Sequence, residues 1–133
     1  MTQEDKILLI KDLSSRLPYA VHVQHTSGFS GILHDISIYH KYDKNDNIYD
    51  AICYTNFFRD WNGITIEHFK PYLFPLSSMT EEQEKEYNNL NCYELGYFPH
   101  SEEALDYLTK NHFDYRHLIE KGLAIDATGL NIY

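Results

Sequence analysis

One stretch constrains this chain more than any other: His68-Phe69-Lys70-Pro71-Tyr72-Leu73-Phe74-Pro75-Leu76-Ser77-Ser78-Met79-Thr80-Glu81-Glu82-Gln83. Pro71 and Pro75 fix their own φ angles and push Lys70 and Phe74 toward extended backbone. Thr80 and Gln83 have the spacing of a capping box, and Ser78 with Glu81 offers a second register. An extended apolar strap therefore runs straight into a helix. It splits a single domain of 133 residues into a β-rich half, 1–69, and a strap-plus-helix half, 70–133. A chain of this length buries about two-thirds of its unfolded surface, enough for a core without staples.

The first half opens with a helix. Thr2 is its N-cap, with Gln3, Glu4 and Asp5 at its positive end. Ile7, Ile10, Leu13 and Leu17 recur at helical spacing, Leu8 and Leu9 widen the stripe, and Pro18 ends it. Strand patterns follow. Tyr19, Val21 and Val23 alternate with polar neighbours, and Ile32, Ile36 and Ile38 define one face of the next strand. A third strand spans Ile48 to Phe58. Asn62-Gly63 predicts a tight turn into a fourth at Ile64 and Ile66. The fold class is α+β: an N-terminal helix, a strongly bent antiparallel sheet of four to five strands, then C-terminal helices. Strands this short predict an SH3-like or Sm-like half-barrel, with the strap across its open end. Cys92 to Phe98 is the candidate fifth strand.

The last third reads as helices from Ser101 and from Asp114, with Asn111 as a left-handed stop between them. Gly122 is placed as the C′ glycine of the second, where Leu118 meets Leu123. The tail with Leu123, Ile125 and Leu130 packs back.

Charge is unevenly spread. The formal net charge is −9, yet residues 1–79 carry 9 acids against 7 bases, while 80–106 carry 8 acids and only Lys85. Glu81, Glu82, Glu84 and Glu86 form the acidic surface of the predicted helix. No Lys/Arg cluster exists to neutralise phosphates, which argues against direct nucleic-acid binding. There is neither a signal-peptide pattern nor an apolar run long enough to span a membrane, so the expected location is the cytoplasm. Cys53 and Cys92 belong to no CxxC-type cluster and read as reduced thiols.

Reaction chemistry is hard to find. His22 and His25 fall on opposite faces of a strand. His22 and His34 could meet across a hairpin, but a metal site lacks a third ligand there, so no metal and no cofactor are expected. Cys53 has no local base. Asp114 is explained as a cap and His117 as a surface group. The remaining candidates are contact residues: Tyr39, Tyr42, Tyr49 and Trp61 near the loop tips, with His22 and His34. A non-enzymatic binding or adaptor protein is the leading expectation, with another protein as partner and self-association left open. The alternatives are a protein that sequesters a small ligand such as a nucleotide signal, and a small enzyme with a His/Cys site.

Two strings, Lys70 to Glu82 and His112 to Ala124, together with the opening helix and Leu17-Pro18-Tyr19, resemble a family of small proteins of gut Bacteroidetes genomes, their phages and mobile elements. His117 stands where a small residue such as glycine is expected, which argues against a required imidazole there. The resemblance implies a common origin and one fold over most of the chain and no established activity; an accessory factor of a phage or mobile element is part of the leading expectation. The resemblance implies no catalytic residue.

Overall fold

The computed structural model describes residues 1–42, 47–56, 63–90 and 102–133, with backbone alone at 41, 42, 47 and 48. It is an α+β fold built on a mixed, open sheet. Helix α1 (Gln3–Arg16) starts with the expected cap. The Asp5 N–H donates to the Thr2 hydroxyl at 3.1 Å, and the Thr2 N–H donates back to the Asp5 carboxylate at 3.4 Å. Pro18 sits in a 3-10 turn, Leu17–Tyr19, that ends the helix, and Ala20 then takes φ 53° to redirect the chain.

Strands β1 (His22–His25), β2 (Ser30–Tyr42), β3 (Asn47–Thr55) and β4 (Ile64–Thr65) pair in antiparallel sequence. β4 is only two residues long because Ile66–His68 turns into a 3-10 helix. Gly63 before it has φ 60°, and a Cβ there would run into the side chains of Ile52 and Tyr54. Asn62, its partner in the expected turn, lies outside the described residues, as do Trp61 and the expected strand Cys92–Phe98.

The strap does not cross the end of the sheet. It is strand β5 (Phe69–Pro75), a central one. β5 pairs antiparallel with β1, Val23 opposite Pro71, and parallel with β6 (Phe113–Asp114) and β7 (Ile125–Asp126). Among the described residues the sheet order is β4-β3-β2-β1-β5-β6, with β7 also on β5, which makes seven strands in place of four or five. The sequence hides β6 and β7 because two-residue strands leave no alternation to read. Pro71 is tolerated inside a central strand because the ladder to β1 reaches no further than Val23. The Tyr133 hydroxyl takes over there, accepting from His22 N–H at 2.9 Å and donating to the Tyr72 carbonyl at 2.7 Å.

After β5 the chain makes a 3-10 turn, Leu76–Ser78, and enters α2 (Glu81–Leu90). Its box is formed as predicted: Gln83 N–H donates to the Thr80 hydroxyl at 3.1 Å, and Thr80 N–H to the Gln83 side-chain oxygen at 2.9 Å. Helix α3 (Glu102–Lys110) follows. The expected second C-terminal helix is absent: His117 adopts φ 60°, which breaks any helix through 115–121. The segment is a series of turns, organised by the buried Asp114 carboxylate, which accepts from Leu118 and Ile119 N–H, each at 2.9 Å. Its stop signal is real even so. Leu123 N–H donates to Leu118 carbonyl and Gly122 N–H to Ile119 carbonyl, with Gly122 at φ 73°. The left-handed residue after α3 is His112 (φ 63°) and not Asn111.

The core joins Leu9 and Leu13 of α1 to Val21, Val23, Leu33, Cys53, Ile66, Phe69, Leu73, Leu118 and Leu123. Two expectations about faces are corrected. In α1 the buried face also contains Asp12 and Arg16, both fully buried, while Ile7 is exposed. In β2 a bulge between Leu33 and Asp35 adds one residue, so Leu33 and Ile36 pack on the core although their spacing is odd.

Asp12 organises the rear of the core. It pairs with Arg16 Nε at 2.9 Å and with Arg116 Nη1 at 2.8 Å. Arg16 also donates to the Phe113 carbonyl at 2.6 Å and the Thr109 carbonyl at 3.4 Å. Removing the carboxylate leaves a buried guanidinium unpaired. We expect Asp12→Ala to lower unfolding free energy by about 3–5 kcal/mol in chemical denaturation. Glu120→Gln, in an exposed pair with His117, should leave it unchanged within error.

Candidate binding surfaces

Two concave features stand out, on different parts of the fold. The first lies between α1 and the β2–β3 hairpin. Ile38 pairs with Ala51 and His40 with Tyr49, so Ile38 and Tyr49 share one face of the ribbon. That face begins on the core at Ile36 and Cys53 and extends past the helix. Ile7, Ile38 and Tyr49 remain 43%, 50% and 44% exposed. With Ile10, Lys11 and Ser14 they line a groove of about 350 Å³, almost wholly apolar. Tyr49 is held in place from two directions. Its ring stacks on His40 at 4.6 Å, and its carbonyl accepts from the Gln3 side chain at 2.8 Å.

The second is a cleft of about 460 Å³ where β5 ends. The turn after β5, the first turn of α2, the end of α3 and the loop 128–129 all meet there. Its walls are Phe74, Phe113, His112 and Tyr133, and Lys110, Asn111 and Gln83 stand around them. His112 stacks on Tyr133 with centroids 3.7 Å apart and planes at 11°. His22 meets the same ring edge-on at 4.8 Å. Burial, then the nearby Arg16 charge and His22, push the His112 imidazole down to about 4, so the ring is neutral at pH 7. Its Nδ1 is buried and bonded to nothing among the described residues. Burial raises the Tyr133 phenol to about 12, which keeps the proton it donates to Tyr72.

The expected site residues divide between these features and the rest of the surface. Tyr49 lines the groove. Tyr39 is half-buried opposite Asp50, and the Tyr42 side chain and Trp61 lie outside the described residues. His22 belongs with Tyr133. The residue opposite it across the hairpin is Ile32, and His34 is exposed on β2. Cys53 is buried, and burial reinforced by the Asp50 carboxylate raises its thiol to about 12, far from a thiolate at neutral pH. Glu81, Glu82, Glu84 and Glu86 are exposed on α2. Burial, then the neighbouring Glu86 carboxylate, raises the Tyr107 phenol of α3. Among the described residues no group of three His, Cys, Asp or Glu could hold a metal, and no helix is long and apolar enough to cross a membrane.

His112, Tyr133 and Lys110 escape a reading of the sequence. The tail is legible as packing back, but nothing marks which tail residue touches which strand.

His112 titrates at about 4 here against 6.5 in an open chain, so the unfolded chain binds more protons between those values. Its contribution to stability is complete above about pH 6.5 and falls as pH drops toward 4. We expect His112→Asn, which tolerates the left-handed backbone, to flatten the slope of unfolding free energy against pH in this window. Urea denaturation at half-unit pH steps measures it.

Comparison with protein-family models, with curated proteins and with solved structures finds no match to this chain.

Proposed function

We propose that this chain is a non-enzymatic binding protein that docks a partner protein in the groove between α1 and the β2–β3 hairpin. The observation that carries this reading is the uncovered inner face of the ribbon, where Ile7, Ile38 and Tyr49 stand exposed around an apolar groove. Exposed apolar side chains gathered in one concavity favour association, and a rigid aromatic residue at its edge is a typical anchor. Lys11, the charged residue of the lining, has no ion pair among the described residues. The partner is therefore a protein segment that inserts an aliphatic or aromatic side chain and sets a carboxylate beside it. We read the antiparallel part of the sheet, β1 to β5, as an SH3-like half-barrel, and the setting as an accessory role in a phage or mobile element.

The test is capture from host-cell extract by the immobilised chain, quantified by mass spectrometry. Ile38→Glu and Lys11→Glu should each lose proteins that the unmodified chain and Glu82→Gln retain. Ile38 is half-exposed, so the variants should melt at the same temperature. An identical captured set across all four chains defeats the proposal.

A second reading, capture of a small ligand, is favoured by the aromatic cleft at His112 and Tyr133. Thermal-shift screening addresses it: a saturable rise in melting temperature with nucleotides would identify that class, and a flat response removes it.

A further inference from the structure

Building on the ligand-capture reading, we propose that the cleft beside His112 and Tyr133 binds a small aromatic carboxylate, a planar ring carrying a single negative charge.

The cleft is prepared for a ring. Tyr133 cannot swing away, because its hydroxyl is held by His22 N–H and the Tyr72 carbonyl, and His112 covers one of its faces. Despite these ties the residue stays 43% exposed. Phe74 closes the wall from 5.8 Å, tilted by 55°. A fixed aromatic surface loses little entropy when a planar ligand covers it. His112 is set into the wall by the left-handed backbone that ends α3, a conformation histidine adopts more readily than most residues. The volume of about 460 Å³ lies within the range of small-molecule sites, about 300–1,000 Å³.

The polar groups select an anion. Among the described residues Lys110 is the one charged side chain in the lining, and it has no ion pair there. Gln83 gives its oxygen to the Thr80 N–H, which leaves its NH2 group to donate. Among the described residues no Asp or Glu side chain lines the cleft, although acids outnumber bases 20 to 11 in the chain. His112 is neutral and adds no second cation.

Charge number separates carboxylates from phosphates. One lysine balances one negative charge. A phosphate monoester would bring a second, unbalanced charge to a cleft whose Gln83 belongs to the same helical turn as Glu81, Glu82 and Glu84. A carboxylate with an aromatic body meets both halves of the lining.

The experiment is an NMR titration of the labelled full chain with phenylacetate, phenylacetamide and phenyl phosphate. Phenylacetate should give saturable shifts at the amides of Phe74, Gln83, Lys110, His112 and Tyr133. Phenylacetamide and phenyl phosphate should bind at least about tenfold more weakly. Lys110→Met should weaken phenylacetate by about the same factor, and Lys121→Met should not. Equal binding of phenylacetamide overturns the charge selection while leaving ligand capture standing. Tighter binding of phenyl phosphate overturns the single-charge limit. No saturable shift with any of the three overturns this proposal, while the ligand-capture reading stands or falls on the nucleotide thermal-shift screen.

Discussion

A single buried carboxylate ties the two ends of this chain together. Asp12 sits in the first helix, and its two oxygens face Arg16, one turn away, and Arg116, 104 residues away. Arg16 then reaches the carbonyls of Thr109 and Phe113, where α3 ends and β6 begins. Tyr115 lies under both guanidinium groups, 5.4 Å from Arg16 and 4.6 Å from Arg116. The described strands of the C-terminal third cannot hold themselves, since β6 and β7 have two residues each. The charges fix where that third lies, and the apolar contacts of Leu118 and Leu123 then complete the core. Each buried charge in the set is satisfied by hydrogen bonds, which is the condition under which such a network favours one arrangement over its competitors.

Much of the first half was legible from residue types, because helices and hairpins are local. The caps at Thr2 and Thr80, the stop at Pro18 and the Leu118–Leu123 closure at Gly122 are decided by residues within a few positions of each other. What failed was whatever depends on a distant partner. Asp12 and Arg16 have the spacing of an ordinary surface pair, and only Arg116 and the C-terminal carbonyls explain why they are inside. The strap reads as a clasp because two prolines discourage a central strand. It becomes one because Tyr133 supplies hydrogen bonds where the ladder stops.

The same distinction applies to the candidate sites. The sequence groups Tyr49 with Tyr39, Tyr42 and Trp61 near the loop tips, and the strand pairing is what sets it on the face of Ile38. The cleft could not be read from the sequence, because its walls come from β5, α2, α3 and the tail at once. Both surfaces are therefore consequences of coverage. α1 is shorter than the ribbon it packs on, and the turns after β5 do not fill the space at its end.

The bulge at Leu33 and Asp35 gives the groove a dependence of another kind. Strand faces are set by counting, so the extra residue decides that Ile36 and Ile38 look the same way as Cys53 and Ala51. Without it, the outer half of β2 would turn its polar side chains inward and its isoleucines to the opposite side. His34 is exposed, so its side-chain identity is free to drift. The presence of a residue there is not. Along this hairpin, chain length carries information that composition does not: beside a core residue such as Leu33, the exposed letters of the bulge could change, but none could be deleted.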